Sequence, residues 1–129
     1  MSIEQVADIE WPSDDFNDYM VVQAIISGKH VIYFQRSEIA PISARALELM
    51  LERYGITYPK IDSSVNPGHK VPALKGPSYE VVGMGMAMSD PDRLIFLADS
   101  NSVEYNLRIN REHLETVKQK YPDKRIDIE

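Results

Sequence analysis

The spacing of apolar and polar positions changes along the chain, and each change marks an element. Between residues 14 and 27 apolar side chains fall on every side of a 100° projection, with Phe16, Met20 and Ala24 on one, Tyr19, Val22 and Ile26 on another, and Val21 and Ile25 on a third. Ser13 before Asp14 and Asp15 has the character of a helix cap with acids in the first turn, and Gly28 that of a terminator. The pattern predicts a helix over 14–27 with little solvent-facing surface, packed by strands on more than one side or set in an oligomer interface. Val31 to Phe34, β-branched and aromatic, predicts a strand. Pro41 and Gly55 bracket a second helix, whose wet face is Arg45, Glu48 and Glu52 and whose broad apolar arc runs through Ile42, Ala46, Leu47, Leu49, Met50, Leu51 and Tyr54.

A period of two then takes over. A short strand over 56–61 leads into a turn-rich loop at 62–69, and further strands are expected at 71–74, 79–88, 93–98 and 103–109. In the last of these Val103, Tyr105, Leu107 and Ile109 alternate with Glu104, Asn106 and Arg108, which predicts one core face and one wet face. Asn110 caps a helix over 111–121 with the narrow stripe Leu114, Val117 and Tyr121, and residues 125–128 supply an edge strand. The expected architecture is one α+β domain spanning 1–129. Its helix-rich N-terminal half packs on a curled antiparallel sheet resembling a small open barrel, with a C-terminal surface helix.

Composition narrows the chemistry. With 129 residues, 43% hydrophobic and 26% charged, the chain has the makeup of a single globular domain. The absence of cysteine removes disulfides, thiolate metal sites and thiol nucleophiles. A net charge of −6 opposes nonspecific nucleic-acid binding, which needs a basic surface, but leaves room for an anion held by a local arginine cluster or for a protein partner. No apolar run approaches the ~20 residues of a membrane span, and the acidic start lacks a basic signal region, so a cytoplasmic location without a membrane partner is expected.

Two segments resemble known families. Lys75-Gly76 followed by Tyr79, Val81 and Gly83, then a hairpin, an alternating strand and a short helix, is similar to the β-domain of small phage-encoded accessory proteins. That resemblance implies an accessory, inhibitory or anti-defence role and no particular chemistry. Asn66 to Leu74 resembles the stretch of glutathione transferases in which a proline precedes the glutathione-binding strand, and residues 31–43 have the outline of a glutaredoxin. Ala40 and Ser43 stand at that family's cysteine positions, so the resemblance implies no thiol chemistry here.

Among reactive side chains, His30, His69 and His113 lack metal-ligand spacing, and no metal or cofactor is expected. His113 is expected on a helix surface, and His69, beside Lys70 in the loop, is the better functional candidate. Ser63 and Ser64 have no base at a recognisable spacing, so no catalytic residue is assigned. Gly83 and Gly85 suit a bulge or the close approach of another group, and the stripe Val82, Met84, Met86 and Met88 suits a core or a protein-binding surface. Arg108 and Arg111, around a helix start, are suited to a phosphate or carboxylate.

The expected ligand-binding set is therefore Asn106, Arg108 and Arg111, with His69, Lys70 and Tyr79 as further contacts. The leading functional expectation is a non-enzymatic, homo-oligomeric protein that captures a phosphorylated or nucleotide-like small molecule. The alternatives are an acidic inhibitor or adaptor acting through the 14–27 element or the methionine stripe, and a hydrolase or transferase acting on the same anionic ligand.

Overall fold

In a computed structural model, which describes residues 17–39, 42–90, 93–102, 104–122 and 125–129, the apolar run ending at Ile26 is a strand. This strand, β1 (Asn17–Ile26), lies inside a sheet, and β2 (Lys29–Arg36) pairs with it through a turn at Ser27 and Gly28. Both turn residues have positive φ, 50° and 82°, as a two-residue hairpin matched to strand twist requires. Gly28 thus closes a hairpin and does not end a helix. The expected caps Ser13, Asp14 and Asp15, and Phe16, lie outside the described residues.

The helix expected over 14–27 is overturned for a physical reason. A strand covered on both faces carries apolar residues at consecutive positions, and such a run projects onto all sides of a helical wheel. Met20, Val22, Ala24 and Ile26 face one layer of core and Val21 the other.

The remaining elements are α1 (Ser43–Arg53), β3 (Lys60–Asp62), β4 (Lys70–Pro72), β5 (Lys75–Gly76), β6 (Tyr79–Ser89), β7 (Leu94–Leu97), β8 (Asn101–Ser102), β9 (Leu107–Arg108), α2 (Arg111–Lys120) and β10 (Ile126–Ile128). The main sheet has the order β10-β7-β6-β1-β2, with β5 on the far side of β6. It is mixed, because β10 runs parallel to β7 while the other pairs are antiparallel. The N-terminal half is therefore a β-hairpin and one helix, not helix-rich. The sheet stays open, with β10 and β2 at its edges, and does not close into a barrel.

Each helix covers one face. Ala46, Leu47, Met50 and Leu51 of α1 pack with Val22, Val31, Val81 and Met84. Leu114 and Val117 of α2 pack with Val21, Ile32, Phe96 and Ile126. The expected stripe of α2 and its Asn110 cap are both present, the cap through an N–H···O bond of 3.0 Å from His113 N to Asn110 Oδ1. Gly55, at φ 64°, ends α1, and Ile56 N–H returns to Leu51 O at 2.8 Å. Pro41, expected to open that helix, lies outside the described residues.

Two expected strands are shortened. Pairing over 56–61 begins only at Lys60, in a small ladder with β4. The stretch 103–109 is not one strand: β8 and β9 form a tight hairpin in which Asn106 takes φ 54° and its N–H bonds Ser102 O at 2.6 Å. Asn is among the few residues that accept that conformation. The alternation was local: Tyr105 and Leu107 pack toward the α1 side, whereas Ile109 packs toward α2.

Gly83 and Gly85 explain how this hairpin and the start of α2 come so close to the sheet. A Cβ on Gly83 would stand 2.9 Å from the backbone nitrogen of Asn110, and one on Gly85 would stand 2.8 Å from Ile109 Cγ1. The first obstacle is backbone, and the second is a side chain that can rotate. Gly83→Ala should therefore destabilise the fold by ~2 kcal/mol or more and Gly85→Ala by less. Urea unfolding midpoints of the two variants check the ordering.

Candidate ligand cleft

Two hollows meet where the start of α1, the loop 62–70 and the β8–β9 hairpin converge. The first, of about 300 Å³, is walled by Met20, Ile42, Val65, Gly85 and Met86, with Ser43, Asn66, Ser100, Asn101 and Glu104 as its polar groups. The second, of about 170 Å³, shares Ile42, Asn66 and Glu104 and continues past Arg45, Glu48, His69 and Lys70. Apolar walls with a few convergent polar groups are the usual makeup of a small-molecule site, and ~300 Å³ is at the lower end of such sites.

The methionine stripe runs through three environments. Met84 is fully buried in the core, Met86 lines the cleft, and Met88 is exposed. Ile42 and Val65 are more than half exposed at the cleft, which leaves apolar surface open to an occupant.

Local hydrogen bonds hold the polar groups in place. Ser63 Oγ lies 2.9 and 3.0 Å from the two carboxylate oxygens of Glu104 and accepts from Asn66 N at 3.0 Å. Ser64 Oγ donates to the backbone oxygen of Glu104 at 2.8 Å. The loop is closed at its base by Ser63 N–H to His69 O, 2.9 Å, and by an ion pair between Lys70 and Asp62. Arg45 is bound to Glu48 and reaches Glu52 at 3.8 Å. The start of α1 has no side-chain cap, since Ile42 occupies the cap position.

The six residues expected to bind ligand are dispersed. His69 and Lys70 line the second hollow. Arg108 is exposed and is the cross-strand partner of Asn101, so its Cβ lies ~5 Å from that of a cleft residue on the same face of the hairpin. Asn106 stands at the hairpin turn and Arg111 on the first turn of α2, both exposed. Neither arginine has an ion pair with Glu104, Glu112 or Glu115 among the described residues. Tyr79 is buried, and its hydroxyl donates to Ala73 O at 2.6 Å, which commits that group to the core. Tyr105 is committed similarly, donating to Pro72 O at 2.7 Å, and burial beside Glu104 pushes its hydroxyl pKa upward. Glu104, Asn66 and Asn101 were not among the expected residues. Glu104 occupied a wet position of an expected strand, and only the Asn106 turn reveals that the strand is broken.

His113 differs most from expectation, being buried at 4% exposure. Its Nε2 lies 3.1 Å from Ala24 O, an acceptor, and so must carry the proton. Its Nδ1 lies 3.3 Å from Gln23 Nε2, a donor, and so must be bare. Gln23 cannot turn its amide over without loss, because Asn110 N–H donates to its Oε1 at 2.7 Å and its Nε2 donates to Asn110 O at 2.9 Å. Asn110 completes the network by donating from Nδ2 to Val82 O at 3.1 Å. The His30 ring stands 4.8 Å from that of His113. Desolvation is the main cause, with His30 adding to it, of a fall in the His113 pKa from 6.5 to about 4. No sequence spacing signals this, because Gln23 and His113 are joined only by the fold.

No family model matches the chain, and no curated protein matches it either. Among the described residues no group of three or more His, Cys, Asp and Glu side chains could hold a metal, and no helix is long and apolar enough to cross a membrane.

The His113 network has a measurable pH signature. The folded pKa lies below the unfolded value, so the unfolded chain takes up a proton first as pH falls. The stabilising contribution is complete above pH 6.5 and is lost between pH 6.5 and about 4. It amounts to about 3 kcal/mol at most. Urea titrations at pH 7 and pH 4.5 should show a larger loss for the natural chain than for His113→Gln, and equal losses would exclude the assignment.

Proposed function

We propose that this chain is a cytoplasmic small-molecule-binding protein whose ligand, a nucleotide or similarly phosphorylated compound, sits in the cleft between α1, the loop 62–70 and the β8–β9 hairpin. The observation that carries the reading is the cleft itself, lined by the apolar side chains of Met20, Val65 and Met86 together with the polar groups of Ser43, Asn66, Asn101 and Glu104. An apolar ring system would occupy the larger hollow.

Cationic and N–H groups suited to an anion surround it. His69 and Lys70 line the smaller hollow, and the uncapped start of α1 borders both. Arg108, next to Asn101 and without an ion pair to the nearby glutamates, is within side-chain reach of the opening. The alternative of an adaptor surface built on residues 14–27 or on the methionine stripe finds less support, since most of β1 and all of Met84 lie inside the protein.

A thermal-shift screen against mono-, di- and cyclic nucleotides and sugar phosphates tests the reading. A ligand at 100 times its dissociation constant adds ~2.7 kcal/mol and should raise the midpoint by several degrees. Arg108→Ala should leave the ligand-free midpoint unchanged, as it removes no contact to Glu104, Glu112 or Glu115, and should weaken the bound ligand by about tenfold. If no compound in the panel shifts the midpoint, the proposal is wrong.

A further inference from the structure

We infer that Glu104 makes the cleft selective for a planar base with two adjacent N–H donors, the edge that guanine presents and adenine lacks. The inference rests on the nucleotide reading above and deepens it.

Glu104 is the one carboxylate common to both hollows, and it is half-buried there. A carboxylate offers about four acceptor sites and no donor. Ser63 has a single hydroxyl hydrogen to share between the two oxygens at 2.9 and 3.0 Å. Ser64 lies 3.4 Å from Oε2, but its hydrogen is better placed on the backbone oxygen of Glu104 at 2.8 Å. Among the described residues, therefore, most of the acceptor capacity of Glu104 is unfilled. No arginine or lysine ion pair to Glu104 exists among the described residues, since Lys70 is bound to Asp62 and Arg45 to Glu48. Meanwhile Ser63 fixes the orientation of the carboxylate, itself anchored by Val65 N–H and Asn66 N–H at 3.3 and 3.0 Å.

A pre-positioned acceptor pair at the edge of an apolar chamber calls for paired donors on the occupant. Guanine offers N1–H and the 2-amino group side by side, matching the two oxygens in a bidentate pair. Adenine meets the same carboxylate with an acceptor nitrogen beside its amino group, and the acceptor would face a negative charge. The walls suit a flat ring, since Met20 and Met86 present polarizable thioethers. The amides of Asn66 and Asn101 can serve the remaining edge of either purine, so they do not discriminate.

Titration of the natural protein with GMP, IMP and AMP, followed by thermal shift and calorimetry, tests this. GMP should bind about 10- to 100-fold more tightly than AMP, with IMP, which lacks the 2-amino donor, between them. Glu104→Gln, which keeps the size of the side chain and replaces one acceptor with a donor, should abolish the preference. Equal affinity for GMP and AMP would overturn the inference while leaving a nucleotide cleft in place. Absence of binding by all three would overturn the inference, and the nucleotide reading falls with it only when the wider panel of nucleotides and sugar phosphates also gives no shift.

Discussion

The structure depends on one crossing, where the segment Ile109–Asn110 lies directly on β6 at Gly83 and Gly85. The glycines permit the approach, and the buried amide of Gln23 makes it specific by exchanging two hydrogen bonds with the backbone of Asn110. A buried amide left without partners costs ~1–3 kcal/mol, so the segment cannot slide along the sheet without losing more than packing. The side chain of Asn110 caps α2 and bonds Val82 O, and His113 on the first turn of that helix bonds back to Gln23 and Ala24. A single polar node thereby sets the position of α2, the β-bulge between β1 and β6, and the exit of the β8–β9 hairpin.

The cleft follows from that placement. With Ile109 and Asn110 held against β6, the hairpin before them projects over the sheet toward the loop 62–70, bringing Glu104 within reach of Ser63 and Ser64 from a distance of forty residues in sequence. The hollow then lies where β6 has passed beyond β5 and pairs with β7, so that Gly85 and Met86 border open space. The site is thus supported by a well-satisfied buried network on one side and by a surface loop on the other. Such a division suits binding, because a rigid floor positions groups while a loop with few buried residues can adjust.

Several individual elements were legible in the sequence although the overall fold class was not, and the failures share a cause. α1, α2, the Asn110 cap, β2, β6 and β10 each have local signals: a cap residue, a terminating glycine, or a β-branched run. Residues 14–27 misled because apolar positions on all sides are compatible with a buried strand or a buried helix, and hairpin chemistry at Ser27-Gly28 is the better discriminator. The stretch 103–109 misled because alternation can arise where side chains serve two different cores across a turn. For the cleft, His69 and Lys70 were visible as loop residues free of core pattern. Glu104, Asn66 and Asn101 become significant only through contacts between distant segments, which no spacing rule encodes.

The three histidines show why residue type alone is a poor guide to chemistry. His113 is held neutral by an acceptor at one nitrogen and a donor at the other, so it contributes order and no reactivity at neutral pH. His30 lies beside it, with a buried Nδ1 that has no hydrogen-bond partner among the described residues. His69 alone stands exposed in the loop that borders the cleft. The same logic separates the carboxylates: Asp62 and Glu48 are paired with neighbouring cations, whereas Glu104 is oriented by a serine yet keeps open acceptor sites among the described residues. An oriented group whose bonding capacity the protein leaves incomplete is where an external molecule gains most, because the cost of ordering that group has already been met in folding.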